Sequence, residues 1–148
     1  MARVVVDANV LTAARLSRDQ NHVRGTAITQ AIDTGALPTA VVLTDILEEV
    51  VNYLQARSDH PTVAETLDSV IESSGFVLTH TPKSEFDAGR SLFRRYESLS
   101  LTDAVVVAAM QRLDIDSLYS FDDGLDSVDD LTPSRLPLTR SDSDDPGR

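Results

Sequence analysis

Apolar residues follow two rhythms along this chain. Val4, Val5 and Val6 stand together without a polar interruption, which predicts a short strand over residues 3–6 buried on both faces. Similar short runs predict strands at 40–43, in "GFVLTH" (75–80), in "SLYSFD" (117–122) and in "LPLT" (136–139). Between them the spacing turns helical. A helical region is expected from about Thr12 to Thr34, where Gly35 stops it. Ile46, Leu47, Val50, Val51 and Leu54 form one face of an amphipathic helix, with Thr44 placed as its N-cap. A third helix is expected over Thr62–Ser73. Pro82 opens a fourth, "EFDAGRSLFRRYESL", with Phe86, Leu92 and Phe93 as its core candidates. "LSLTDAVVVAAMQRLDI" supplies a fifth, separated from the fourth near residues 98–100.

Strands alternating with helices predict an α/β fold, a three-layer α/β/α arrangement around a central parallel sheet of about five short strands. In such sheets ligands bind beyond the carboxyl ends of the strands, near the point where strand order reverses. Residues 1–140 are expected to form one domain. The segment "SDSDDPGR" at 141–148 has no apolar anchor and reads as a disordered acidic tail. No run is long enough to span a bilayer and no signal-peptide pattern opens the chain, so a cytoplasmic protein without a membrane partner is expected.

Composition narrows the chemistry. The chain carries 18 Asp and 6 Glu against 12 Arg and a single lysine, Lys83, for a net charge of -11. This balance resembles proteins of a halophilic cytoplasm, where a Debye length of about 3 Å at 1 M salt screens self-repulsion. With so many aspartates, only one placed where burial is costly, or several that converge, carries an argument. There is no cysteine, which removes disulfides and thiolate ligands and leaves oxygen or imidazole for any metal.

Asp7 ends the first strand and Asp122 ends the fourth, so both should open on one edge of the sheet. Glu48 and Glu49 lie in the first turns of the helix after strand two. Asp103 opens the helix before strand four and reaches the same edge if two consecutive helices bring the chain back. Singly, each has an ordinary reading: an Asx-turn for Asp7, favourable helix-dipole placement for Glu48, Glu49 or Asp103, and turn chemistry for Asp122 and Asp123 before Gly124. Together, four carboxylates at one edge cannot all ionise without a counter-charge. A divalent cation supplies it, and an oxygen-only donor set suits Mg²⁺ or Mn²⁺. His22, His60 and His80 are read as non-ligands.

The segments "VVVDANVL", "LEEVVNYL", "LSLTDAVVVAAM" and "LYSFDDGLD" resemble, in order and spacing, the PIN-domain ribonucleases, in particular the VapC-type toxins of prokaryotic toxin–antitoxin pairs. The resemblance spans residues 4–126. It implies an Mg²⁺- or Mn²⁺-dependent endoribonuclease whose catalytic and metal-holding acids are Asp7, Glu49, Asp103 and Asp122. Glu49 is preferred over Glu48 because "EVVNYL" places Leu54 five positions on, where the family usually has leucine. Asn9 and Thr102 match polar positions that accompany the acids, and Asp123 and Asp126 are further acids that act through water. Arg90, Arg94 and Arg95 on one helix, or Arg15, Arg18 and Arg24 after the first acid, are candidates to grip RNA phosphates. The resemblance also implies a cognate antitoxin and a homodimer.

Two other readings compete. A haloacid-dehalogenase-like phosphatase or a phosphoryl-receiver domain also places Asp after strand one. The first wants a second Asp where this chain has Asn9 and a later lysine, and the second wants a lysine near strand five, where Arg140 stands. A non-catalytic RNA- or partner-binding module on the same scaffold is the other, against which the retained acids count.

Overall fold

A computed structural model describes residues 2–121 and the backbone of 134–135. The elements run β1 (Arg3–Val6), α1 (Ala8–Arg15), α2 (His22–Thr34), β2 (Thr39–Leu43), α3 (Thr44–Gln55), α4 (His60–Glu72), β3 (Phe76–Thr79), α5 (Lys83–Arg95), α6 (Leu101–Leu113), β4 (Ser117–Tyr119) and β5 (Ser134–Arg135). The strands form one parallel sheet in the order β3-β2-β1-β4-β5. Strand order therefore reverses between β1 and β4, which is where a parallel sheet opens a crevice. Helices on both faces complete the three layers: α1 packs on α2 and α3, α3 packs on α4, and α5 pairs with α6.

Burial explains the sheet's continuous apolar strands. Val4, Val5, Val6, Ala40, Val41, Val42, Leu43, Leu118 and Tyr119 are all buried. Helix α6 is buried all round from Ala104 to Met110, the signature of a helix sandwiched between the sheet and a covering element. That element is α5. The described residues contain no helix long and apolar enough to cross a membrane.

Several expected boundaries shift. The helical region expected over 12–34 is two helices, the first beginning at Ala8 and ending at Arg15. The polar run from Ser17 to Asn21 offers the core nothing, and the Asp19 carboxylate accepts from the Asn21 N–H at 2.7 Å, trading helix for a turn. Helix α2 then crosses α1 at Gly25, where a Cβ would meet the Val10 carbonyl and Ala14 nitrogen at 2.9 Å. Gly35 ends α2 in the left-handed conformation at φ 86°. Thr44 is the first residue of α3 and not its cap: Leu43 holds the cap position, because strand passes into helix with no loop between. Helix α4 starts at His60, with Pro61 in its first turn, and ends at Glu72.

The expected core face of α5 is also corrected. Phe86 and Phe93 are 44% and 45% exposed, whereas Glu85 and Gly89 are buried and Leu92 packs partly on the core. A Cβ on Gly89 would stand 2.8 Å from a Val105 methyl, so α5 turns its smallest residue toward α6 and approaches closely. Glu85, one turn before, pairs with Arg112 of α6. The described fifth strand lies at Ser134–Arg135; the "LPLT" segment and the expected acidic tail lie outside the described residues.

Candidate functional site

Asp7 joins β1 to α1. Its backbone N–H donates to the Tyr119 carbonyl at 3.0 Å, continuing the β1–β4 pairing by one residue, and its side chain caps α1 by accepting from the Ala8 N–H at 2.8 Å. The Ser120 hydroxyl donates to its other oxygen at 2.9 Å. Asn9 then ties the two strand ends together, its amide donating to the Ser120 hydroxyl at 3.2 Å and its carbonyl oxygen accepting from the Phe121 N–H at 3.1 Å. One Asp7 oxygen therefore caps a helix through the N–H of the next residue, not the residue two positions on that an Asx-turn would use.

The electrostatics are unusual for a capping residue. Asp7 is 8% exposed, and burial pushes its pKa from 3.8 to about 6. The Ser120 and Ala8 hydrogen bonds pull it down, while the charges of Asp103 and Glu49 push it further up. Glu49 is likewise raised, by desolvation and then by Asp103. Three acids from β1, α3 and α6 therefore sense one another across the edge where strand order reverses.

Asp103 reaches this edge as the sequence required. Helix α5 ends at Arg95 and α6 starts at Leu101, so the pair carries the chain back. Ser100 caps α6 by accepting from the Asp103 N–H at 3.1 Å, which fixes the backbone beneath the carboxylate. Thr102 lies in the same first turn. Glu48 does not join the cluster: it lines a groove with Thr44, Leu47, Val51 and Leu78 between α3 and the β3 edge. Asp122, Asp123 and Asp126 lie outside the described residues.

The donor chemistry of Asp7, Glu49 and Asp103 fits a hard divalent cation, because all donors are carboxylate oxygens, and desolvation first and neighbouring acids second raise Asp7 and Glu49 with no cation among the described residues offsetting them. The carboxylates are near enough to repel one another but not gathered: among the described residues no three acidic or imidazole side chains stand close enough to hold a metal ion together. Glu49 is the exposed member, Asp103 is half-buried and Asp7 is buried. His22, whose Nδ1 lies 2.8 Å from the Ala13 carbonyl, is occupied in linking α1 to α2.

Ser120 escaped the sequence reading. A lone serine one residue after a strand carries no signal, and only its partner 113 residues away in Asp7 identifies it. Arg90 and Arg94 are exposed on α5, and Arg95 lies over the Tyr96 ring at 5.0 Å. The C-terminal end of α5 that carries Arg94 and Arg95 is followed after five residues by α6 and Asp103, which brings it toward the acid edge. Arg24 lies over Phe121 at 5.0 Å.

The family model described as the PIN domain matches residues 4–131. Among solved structures, the Mycobacterium tuberculosis VapC20 toxin, described as cleaving the sarcin–ricin loop, is similar with TM-score 0.71 and 18% identity over 81% of this chain and 90% of that one. A toxin–antitoxin complex from Klebsiella pneumoniae is similar with TM-score 0.62 and 16% identity, over 90% of this chain and 99% of that one. VapBC2 from Rickettsia felis, solved bound to a DNA fragment from its promoter, gives TM-score 0.64 and 10% identity, over 90% of this chain and 98% of that one. At these identities the likeness is one of fold. No curated protein matches the sequence.

Proposed function

The chain belongs to the PIN domain family, and from that premise we propose that it is a metal-dependent endoribonuclease, the toxin of a VapBC-type toxin–antitoxin pair. The reading rests above all on Asp7, a buried carboxylate at the strand-order reversal whose neighbours Asp103 and Glu49 are also acids. A site that buries negative charge beside more negative charge is built for an added cation. Asp7, Glu49 and Asp103 would hold Mg²⁺ or Mn²⁺, with Asp122 as the fourth acid and Asp123 and Asp126 acting through water. Such an ion supplies a nucleophilic water at neutral pH and offsets charge developing on the phosphoryl oxygens.

The chain's own side chains do the positioning. Ser120 and Asn9 hold Asp7 in one rotamer across the β1–β4 junction, and the Ser100 cap fixes the first turn of α6 under Asp103 and Thr102. Glu49 is taken as the α3 acid, since Glu48 faces another groove. Arg90, Arg94 and Arg95 of α5 draw RNA toward an edge that would otherwise repel it.

The antitoxin partner is supported by the toxin–antitoxin complex from Klebsiella pneumoniae among the similar folds. A homodimer is part of the same proposal, as is a high-salt cytoplasm suggested by the acidic, lysine-poor composition. The deciding assay incubates purified protein with structured RNA and Mn²⁺ at low and molar KCl. Cleavage that vanishes on chelation and in Asp7→Asn is expected; equal cleavage by the folded Asp7→Asn protein would overturn the assignment of Asp7. A short DNA-binding reading frame directly upstream, whose product co-purifies with this chain and blocks cleavage, is expected for the toxin role. Its absence would leave an RNA-processing nuclease.

A further inference from the structure

We propose that a basic cleft at the far end of α1 and α3 binds the single-stranded RNA flanking the cleaved bond, gripping phosphates with Arg18 and Arg57 and stacking a base on the Tyr53–Arg57 pair. The cleft, of about 560 Å³, is lined by Arg15, Arg18, Tyr53 and Arg57 together with the turn from Leu16 to Asp19. Three of the chain's 12 arginines meet here in a protein whose net charge is -11. The one carboxylate on the lining, Asp19, is turned onto the Asn21 N–H. With three arginines against the charge of Asp19, and Glu65 facing Arg15 beside it, the lining remains net positive in an acidic chain, where field and substrate charge agree.

The three arginines do different things. Arg15 is anchored, donating to the Ser69 hydroxyl at 2.9 Å and facing Glu65 at 3.4 Å. Arg18 is exposed and makes no hydrogen bond or ion pair among the described residues. The Arg57 guanidinium lies over the Tyr53 ring, its central carbon 3.6 Å from the ring centre, and donates to the Tyr53 carbonyl at 3.1 Å; it pairs with no carboxylate among the described residues. A planar cation backed by an aromatic ring is a ready platform for a nucleobase, and Tyr53 is 42% exposed at the surface. An acidic peptide would use the charges but has no need of the stacked plane.

Position ties the cleft to the acids. Asp7 caps the start of α1 and Arg15 is its last residue, a span of about 12 Å at 1.5 Å per residue. Glu49 and Tyr53 are one turn apart on α3 and Arg57 lies four residues beyond, so both helices lead from the acid edge to the cleft. A strand cut at the acids would reach the cleft within a few nucleotides. This placement of the scissile bond rests on the nuclease reading, whereas the binding itself does not.

The test is fluorescence anisotropy with a 12-nucleotide unstructured RNA in chelator, so that nothing is cut, titrated across KCl concentrations with the full chain. Tyr53→Ala is expected to weaken binding about tenfold and Tyr53→Phe hardly at all. Arg18→Gln and Arg57→Gln should each reduce the salt slope by about 0.7, a readout that a merely structural role would not move. Arg15 is left intact because it ties α1 to α4. Unchanged affinity and slope in all three loss variants, no binding by the unaltered chain, or displacement of RNA by none but poly-glutamate would each overturn the proposal. Loss of binding in these variants supports it even if the unaltered protein cuts nothing with Mn²⁺, and unaltered binding in proteins that still cut would remove the cleft while leaving the nuclease standing.

Discussion

Among the described residues two carboxylates are buried, and they are buried on opposite terms. Glu85 lies under α5 at 2% exposure and pairs with Arg112, a cation supplied by the next helix. Asp7 lies at the β1–β4 junction at 8% exposure, held by Ser120 and the Ala8 N–H, with Asp103 and Glu49 as its charged neighbours. The first arrangement has its counter-charge within the chain and joins two helices, although the second Glu85 oxygen, Oε2, is buried without a hydrogen-bond partner among the described residues. The second has its hydrogen bonds but lacks its counter-charge, and it sits where strand order reverses. A buried acid, then, is informative about function by what surrounds it.

The comparison can be broken by removing each acid's support in turn. Asp7→Asn should lower metal-dependent RNA cleavage at least about a thousandfold, roughly 4 kcal/mol of transition-state stabilisation, while the fold persists because Ser120 can reverse its hydroxyl. Single-turnover cleavage with circular dichroism on the same sample reads both. Arg112→Ala should do the opposite: it strands the Glu85 charge and costs about 3–5 kcal/mol of stability, with cleavage per folded molecule unchanged. Urea unfolding measures the loss, and a stable Arg112→Ala protein would show that the two buried acids are not so different.

Acidity should separate them too. Folded Asp7 keeps its proton up to about pH 6, whereas an unfolded chain releases it near 3.8, so between those values the folded state binds more protons. The share of the metal-free protein's stability that Asp7 contributes is fully present below 3.8 and is lost as pH rises through about 6, about 3 kcal/mol in all. Urea midpoints between pH 4 and 7 should show that fall in the native protein and lose it in Asp7→Asn. Mn²⁺ should restore about 2.7 kcal/mol at a hundredfold excess over its Kd at pH 7, less at pH 5 where protons compete, and chelation should reverse the gain. The smallest effect belongs to Ser120→Ala, about 1 kcal/mol, with the pH at which stability is lost moving upward because the hydrogen bond that lowers Asp7 is gone.

Much of this was legible along the chain. The unbroken "VVV" before Asp7 announced a strand buried on both faces, and the return of α5 and α6 followed from placing Asp103 at the acid edge. The helix break after Arg15 was not legible, because "LSRDQN" contains good helix formers and its turn is set by a local Asp19 hydrogen bond. Nor was the inward face of α5. Phe86 and Phe93 carry the stronger apolar signal, but Gly89 allows a closer approach to Val105 than either ring would, and the paired Glu85 goes inside with it.

The sequence by itself determined the alternation of strands and helices and the acid at the end of β1, because those depend on side-chain period and on residues a few positions apart. Tertiary structure alone decided that Asp7 is held by a serine 113 residues away, and that the charge of Asp103 lies close enough to Asp7 and Glu49 to raise both. It alone also decided that Tyr53 and Arg57 close a cleft with Arg15 and Arg18. Those relations are set by how strands are ordered and helices rotated about their axes, and a hydrophobic pattern constrains such rotation only to within the width of its apolar stripe.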